Sequence, residues 1–435
     1  MSGRAELPAD ASRRTFLLLQ GPLSPLYKKL GTELLAAGCR VLRINFCSGD
    51  WLHWRGAGTT SFKGKTDAWP NNIAGFLERE GITDLVLHGD QRIYHKAAIT
   101  EANKRGIRVF VTELGLLRSG WMTLEREGLA TLSRFPNDAD AIRAISNRAG
   151  EIDFAPRFPK SAALEIVPDV IYNLTNVFLK PLYPHYQRHT LYPPVLEYLR
   201  GAWRLSTERR RDHSVRRQIE ALRAGGDPYF IFPLQLEGDF QLRAHSPYKS
   251  FAEVIDKVVT SFAKNAPAMS QLVIKTHPLD VRFENWPALV AELKSQHQLT
   301  DRIVFLDGGR LGDLFDGASG LVTLNSTAGI EAMQAGVPVK SLMPAHYDIE
   351  GMTHQGDLSG FWTSPERPDL GLLTDYLRAI AATVQVRGSI HNRDGVEAAA
   401  KNMAQRILDL SVNEPDAFCP IPPRLEKARA LGVPL

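Results

Sequence analysis

Several short stretches of the chain hold residue types that can handle a phosphorylated ligand. In Leu321-Val322-Thr323-Leu324-Asn325-Ser326-Thr327 an apolar run leads into amide and hydroxyl residues, followed by a helix-like pattern that carries Glu331. A strand ending at such a helix start offers backbone N–H groups and two hydroxyls to an anion, and Glu331, one turn beyond Thr327, can accept hydrogen bonds from a ribose. Ordinary helix capping uses the same residues. Lys275-Thr276-His277-Pro278 closes another apolar run with a cation and an imidazole beside a proline that fixes the backbone. That pair can contact a phosphate or assist a leaving group. The stretch Gln235-Leu236-Glu237-Gly238-Asp239-Phe240-Gln241 adds carboxylates and amides suited to sugar hydroxyls or to attack on an anomeric carbon. Glu113, just after the apolar run Val109–Val111, offers a further carboxylate. A nucleophilic carboxylate and an acid/base carboxylate are the pair that glycosyl transfer with retention uses.

These residues need a scaffold, and the periodicity supplies one. Thr15–Leu19, Arg40–Phe46, Asp84–His88 and Arg108–Thr112 are short apolar runs separated by amphipathic segments of helical length, a βαβ rhythm. Gly38, Gly81 and Gly106 fall between helix and next strand, where a left-handed cap is expected. The loops after these strands contain Gln20-Gly21-Pro22, Cys47–Asp50, Gly89-Asp90-Gln91 and Glu113-Leu114-Gly115, which places them at the ligand-binding edge of a parallel sheet. A second series follows Gly225-Gly226-Asp227-Pro228. Its expected strands are Tyr229–Pro233, Gln271–Lys275, Arg302–Leu306, Gly320–Leu324 and Val337–Leu342, with helices near Phe251–Lys264, Trp286–Ser295 and Thr327–Ala335. Helical segments at Leu370–Val384 and Gly395–Leu410 close the chain. The expected fold is α/β with two Rossmann-like lobes facing across a cleft, as in GT-B glycosyltransferases. The boundaries read as 1–165 for the first lobe, 166–225 for an aromatic and basic helical segment, 226–370 for the second lobe and 371–435 for C-terminal helices and tail.

Composition narrows the function classes. The 435 residues are 44% hydrophobic and 23% charged, an ordinary globular balance, and 52 basic against 48 acidic residues leave a net charge of only +4. That is too mild to mark a nucleic-acid binder. Three cysteines without ligand spacing give neither a zinc site nor a disulfide framework, and imply a reducing compartment. No run reaches the roughly 20 apolar residues of a membrane span, and no signal-peptide core is seen, so a cytoplasmic protein is expected. P-loop, dinucleotide and nucleophile-elbow motifs are absent. Asp138-Ala139-Asp140 matches a metal-binding DxD pattern, but its position before a helix explains it as a cap. The charge is uneven: residues 200–223 carry eight arginines (200, 204, 209, 210, 211, 216, 217 and 223) against three acids. A solvated helix face accounts for such a run, and so does an aromatic and basic surface over Asp169–Arg223, rich in Tyr, Leu and Pro in its first part, resting on anionic lipid, where each cation contributes about 1 kcal/mol.

The block Thr112-Glu113-Leu114-Gly115-Leu116-Leu117-Arg118 through Glu125, the start Leu18–Pro22, Lys275–Pro278 and Asn325–Glu331 together resemble the capsule polysaccharide biosynthesis family of Gram-negative bacteria, in particular its KpsS-like (LipB-like) members, over roughly residues 16–342. The resemblance implies a retaining β-Kdo transferase that uses CMP-β-Kdo as donor, without a cofactor or metal. Its acceptor would be a lysophosphatidylglycerol-type lipid at the inner face of the inner membrane, and its partners a KpsC-like transferase and the capsule export complex. Carried over, Glu113 is the acid/base, Asp239 the nucleophile with Glu237 as rival, and His277 with Lys275 and Pro278 the contact to the CMP phosphate. Asn325, Ser326, Thr327 and Glu331 form the nucleotide-binding helix start, Arg118 meets the Kdo carboxylate, and Gln235 and Gln241 bind donor. Arg204, Arg209, Arg210 and Arg211 would face the membrane and acceptor. A non-catalytic assembly scaffold, or a transferase using another nucleotide sugar, are the competing readings.

Overall fold

The structure, a computed structural model, describes residues 13–435, and the polar stretch before Arg13 lies outside the described residues. In β1 (Thr15–Leu18) side chains alternate between the two faces of a sheet, as the two-residue repeat of a strand requires. Phe16 and Leu18 join Leu26, Leu30 and Leu34 of the Leu26–Ala36 helix, while Leu17 and Leu19 join Trp69, Ile73 and Leu77 of the Trp69–Arg79 helix. A strand apolar on both faces belongs inside a parallel sheet with helices on each side. β2 (Arg40–Asn45), β3 (Thr59–Ser61), β4 (Asp84–His88) and β5 (Arg108–Leu114) complete that parallel set. Between helix and strand the chain reverses at Gly38, Gly81 and Gly106, whose φ angles of 85°, 60° and 67° are the left-handed caps expected there. β6 (Trp121–Arg126) then folds back antiparallel on β5, with Glu113 opposite Thr123. This corrects the reading of Glu113 as a loop residue. β6 supplies hydrogen-bond partners past the parallel part of β5, so the strand continues through Leu114.

The second series repeats the rhythm with β7 (Tyr229–Pro233), β8 (Gln271–Lys275), β9 (Ile303–Leu306), β10 (Ala318–Thr323) and β11 (Val339–Ser341), all parallel. The Phe251–Asn265 helix covers one face of it through Phe251, Val254, Ile255, Val258, Val259 and Phe262, the stripe that a 3.6-residue period lays on one side. Finally β12 (Gln385–Arg387) pairs antiparallel with β6. The two sheets have the orders β12-β6-β5-β4-β1-β2-β3 and β11-β10-β7-β8-β9. Counted from its own first strand, each parallel set runs 3-2-1-4-5, the order of a doubly wound sheet that reverses direction beside its first strand.

The protein is thus α/β with two Rossmann-like units. One unit comprises residues up to Pro136, Ile145–Pro194 and Leu377–Pro422; the other comprises Asn137–Ala144, Val195–Tyr376 and Pro423–Leu435. The stretch read as C-terminal helices and tail is therefore shared between both units. β12 extends the first sheet, and the Arg393–Leu408 helix packs Val396, Met403 and Ile407 into the cluster around Phe16 and Leu18.

One polar group inside the first unit is tightly bound. Asp84, fully buried at the start of β4, accepts from Arg14 Nη2 at 2.7 Å, Arg108 Nε at 2.7 Å and Thr83 Oγ1 at 2.6 Å. Burial alone would raise its pKa, but the bonds from Arg14, Arg108 and Thr83 outweigh it and hold the carboxyl below its usual value. The stabilisation is therefore present above the unfolded-state pKa and is lost as pH falls through the lower folded value. Asp84→Ala leaves Arg14 buried without its partner and is expected to cost about 3–5 kcal/mol in denaturant unfolding at neutral pH, with the deficit shrinking in acid. An unchanged midpoint would show that the pair contributes nothing.

Candidate active site

In an open parallel sheet, the place where strand order reverses leaves a crevice at the carboxyl ends of the strands. In the first unit that place lies between β1 and β4. Gln20 follows β1, and His88 ends β4. The His88 Nδ1 lies 2.9 Å from Thr112 Oγ1, which in turn lies 2.9 Å from Tyr27 Oη, and His88 Nε2 lies 3.6 Å from Glu113 Oε1. Burial and the nearby Arg92 guanidinium push the His88 pKa well below its usual value, so the ring is neutral and hydrogen-bonds rather than forming an ion pair. Burial among the surrounding groups also raises the Glu113 carboxyl, with the Leu114 N–H and Arg92 opposing. Yet 46% of the Glu113 side chain is open to solvent. A carboxylate crowded by protein but reachable at its tip, with its pKa moved toward neutrality, is suited to proton transfer. Gly89, at φ 71°, lets the chain pass beneath it: a Cβ there would stand 3.5 Å from Glu113 Oε2 and 3.7 Å from Arg92 Nε.

Gln20 is the hub beside this carboxylate. Its Nε2 donates to Tyr172 Oη at 2.7 Å and to Asp50 Oδ2 at 3.2 Å, and its Oε1 accepts from Arg92 Nη1 at 3.2 Å. Tyr172 Oη donates to Asp50 Oδ1 at 3.0 Å, and Tyr186 Oη lies 3.2 Å from the same Gln20 nitrogen. Sequence reasoning quoted Gln20 and Asp50 only as loop residues, and missed His88, Arg92, Tyr172 and Tyr186. The available signals were the polar Gln20-Gly21-Pro22 loop and the tyrosines of the segment after Asp169. Arg118 occupies the β5–β6 turn, exposed and left-handed at φ 63°, with its N–H donating to Gly115 O at 3.2 Å.

The second unit has its reversal between β7 and β10, and there the structure does bring predicted residues together. Gln235 Nε2 donates to Asn325 Oδ1 at 3.3 Å, Asn325 N donates back to Gln235 Oε1 at 3.4 Å, and Asn325 Nδ2 donates to Gln241 O at 3.1 Å. Asp239, in the same loop, accepts from Gln241 N at 2.9 Å and so starts the short Phe240–Arg243 helix. Its rival Glu237 accepts from Phe251 N at 2.9 Å, at the start of the next helix, and burial raises its carboxyl with Glu284 and Glu253 adding to the effect. His277 follows β8, on the other side of β7, and its Nδ1 accepts from Leu279 N at 3.1 Å. Pro278 beside it is exposed, and Glu331 is half-buried on the Ala328–Gln334 helix.

Three expectations need correction. The Asn325–Thr327 turn does not hold a row of free N–H donors: Ser326 N donates to Thr323 Oγ1, Ala328 N to Ser326 Oγ, Gly329 N to Ser326 O and Ile330 N to Thr327 O. So tight a turn uses its own acceptors. Lys275 is only 2% exposed, its Nζ donates to Thr276 O at 3.2 Å, and burial lowers its pKa, which makes it a packed residue at the strand end rather than a cation offered to solvent. Arg204 and Arg211 do not face outward. Both point at Asp307, Arg204 Nη2 at 3.0 Å and Arg211 Nη1 at 3.8 Å, and Arg282 pairs with the same carboxylate. They lie seven residues apart on the side of the Pro194–Gly225 helix that also buries Val215, Ile219 and Leu222. Arg209 and Arg210, on the opposite side, are exposed. Asp138, by contrast, caps its helix as expected, accepting from Ala141 N at 2.9 Å.

The family described as capsule polysaccharide biosynthesis protein matches residues 83–391, a stretch that includes Glu113, Asp239, His277 and Asn325. The chain belongs to the capsule polysaccharide biosynthesis family. Among its relatives, the capsule polysaccharide modification protein LipB of Neisseria meningitidis serogroup B is 30% identical over 392 residues, covering 88% of this chain and 93% of LipB. The capsule polysaccharide export protein KpsS of Escherichia coli is 28% identical over 389 residues, covering 89% of this chain and 99% of KpsS. Among solved structures, the KpsC β-Kdo 2,7 transferase of Thermosulfurimonas dismutans is similar at a TM-score of 0.44 and 16% identity, covering 91% of this chain and 99% of that one. Membership fits a capsule-family protein with both sheet reversals lined by linked polar side chains.

Proposed function

We propose that this capsule-family protein is a retaining glycosyltransferase that moves a β-linked Kdo residue from CMP-β-Kdo to a lysophosphatidylglycerol-type lipid. The observation that carries this reading is the Gln235–Asn325 amide pair at the β7/β10 reversal, tied through Asn325 to the backbone carbonyl of Gln241 in the loop that also holds a carboxylate, Asp239. Linked amides at that place suit a nucleotide sugar, which binds at reversals of α/β sheets. In the first step, a carboxylate oxygen of Asp239 forms a bond to the anomeric carbon as the bond to the phosphate oxygen breaks, and CMP leaves with the electron pair. In the second, the acceptor hydroxyl attacks that carbon, its proton passes to Glu113, and the Asp239 ester bond breaks to restore the carboxylate. Two inversions give retention. His277 supports departure of the phosphate, and Arg118 supplies a charge for the sugar carboxylate. The likeness of the chain to LipB and KpsS supports the capsule lipid as the product class.

The test is a transfer assay with purified protein, CMP-Kdo and lysophosphatidylglycerol. A lipid heavier by one Kdo, with the β configuration by NMR, is the expected product; turnover of a different nucleotide sugar, or none, would sink the reading. Binding has its own readout. CMP at about 100 times its dissociation constant is expected to stabilise the fold by about 2.7 kcal/mol, seen as a rise in Tm, while UDP at that concentration gives a smaller rise. Asn325→Ala is expected to abolish the CMP effect. An equal response to both nucleotides would remove the cytidine preference.

A further inference from the structure

We infer that the Ala162–Phe178 helix docks the first unit on an anionic lipid bilayer, lying in the plane of the headgroups with its apolar face inserted. The helix is amphipathic in the reverse of the soluble sense. At about 100° per residue, Glu165, Asp169, Tyr172 and Asn176 share one side. That side is the inner one: Tyr172 is bonded to Gln20 and Asp50, and Asn176 Oδ1 accepts from Gly49 N at 2.7 Å. Leu164, Val167, Ile171 and Phe178 lie along the opposite side, with Ile166 and Val177 beside them, and all six are exposed, Val167 at 50% and Phe178 at 74%. A helix of a water-facing surface buries its apolar stripe and turns its polar one outward. Here the polar side is wired into the candidate site, and the apolar side is left uncovered. Leu179 and Leu182 continue the exposed apolar surface past the helix end.

Charge selects the occupant. Around the helix the exposed cations are Arg157, Lys160 and Lys180; Arg157 is paired with the exposed Asp153, and Lys160 lies 3.9 Å from Glu165, whose side chain is 37% exposed, so these acids are neutralised and Lys180, between the exposed Leu179 and Leu182, adds positive charge at the helix end. An apolar face bordered by an exposed lysine set among leucines, with the nearby acids tied up in ion pairs, suits anionic headgroups over an acyl layer. The inference rests on the lipid-acceptor reading and sharpens it. Residues Tyr172 and Asn176 hold the back of the membrane helix against Gln20 and Gly49, so a lipid entering at the bilayer surface meets the site that contains Glu113. It also moves the membrane contact away from the arginines of residues 200–223, two of which are spent on Asp307.

Sedimentation with vesicles of phosphatidylglycerol and phosphatidylcholine tests it. The 435-residue protein is expected to pellet with them and to stay in solution with phosphatidylcholine alone. The triple substitution Val167→Ser, Ile171→Ser, Phe178→Ser is expected to lower partitioning by about tenfold or more, since three inserted apolar side chains are replaced by hydroxyls. Arg209→Glu with Arg210→Glu is expected to change it less. Phe178→Trp gives an independent signal: its fluorescence is expected to be quenched by brominated lipid. A triple variant that pellets like the parent, or a Phe178→Trp variant whose fluorescence stays unquenched in vesicle-bound protein, overturns the proposal. So does a parent dimer that the triple variant dissolves, which would make the face an interface between copies. Transfer to a water-soluble short-chain acceptor separates the two readings. Retained transfer without vesicle binding removes the docking face alone, and vesicle binding without transfer removes the transferase alone.

Discussion

Replacing Glu113 by Gln is expected to slow sugar transfer by about 10³-fold while leaving the fold at least as stable as before. Most buried polar substitutions lose stability and activity together, and here the physics separates them. Burial raises the Glu113 carboxyl, so the folded state disfavours its charge relative to the unfolded chain. That penalty is present above the folded pKa and disappears as pH falls below the unfolded one. A neutral amide removes it at pH 7, so Tm is expected to hold or rise. Because Glu113 must be ionised to take the acceptor proton, transfer is expected to fall as pH drops through its raised pKa, and that limb should vanish from the residual activity of Glu113→Gln. Asp90 supplies the control. It sits on the neighbouring loop, burial pushes it up to about 6, and its Oδ2 accepts from Leu129 N at 3.0 Å. Asp90→Asn is expected to keep the acid limb. Full activity in Glu113→Gln, or a limb that moves with Asp90 instead, would remove Glu113 from the chemistry.

The second large effect concerns Asp239. Asp239→Asn is expected to lower transfer by about 10³-fold or more, the scale seen when a nucleophile is lost. The amide oxygen of Asn can still accept from Gln241 N, so the start of the Phe240–Arg243 helix is kept and the loss reports on the carboxylate itself. Incubating the parent with donor alone should add the mass of one sugar to the protein, mapped to the peptide containing Asp239, and the Asn variant should show no adduct. Glu237→Ala is the counterpart. It removes the acceptor for Phe251 N and is expected to cost about 1 kcal/mol of stability with activity within a few-fold of the parent. An adduct on Glu237 would exchange the two roles.

The parallel strands were legible in the sequence because each is an apolar run bounded by turn residues; β4, β7 and β8 begin and end where the pattern says. The strands β3, β6 and β12 were not, since short strands whose pairing decides their existence leave little periodic signal. The amides Gln235 and Asn325 were found through their loops, and they do meet, with Gln241 joining them through its backbone carbonyl. The cluster of Gln20, His88, Arg92 and Tyr172 was not found, because its members are brought together by β1 and β4 lying side by side, a long-range fact that local pattern does not carry. The arginine-rich helix failed for a related reason. A count of charges cannot distinguish Arg204, turned to Asp307, from Arg209, turned to water; the spacing of Arg204 and Arg211 with Val215, Ile219 and Leu222 could have done so. For the Ala162–Phe178 helix, both faces can be read from residue spacing, but not which one is inside.

The return of residues 377–422 to the first unit governs how this protein can be cut. The Arg393–Leu408 helix, beside the Leu26–Ala36 helix, covers the sheet face that holds Phe16 and Leu18, and β12 closes the outer edge of β6. A fragment stopped anywhere before Leu377 would therefore display a bare apolar face and an unpaired edge, the two features that drive chains to aggregate. The unit written first in the chain is completed only by residues 377–422, so its N-terminal half emerges from the ribosome without that clasp and its folding has to wait for it.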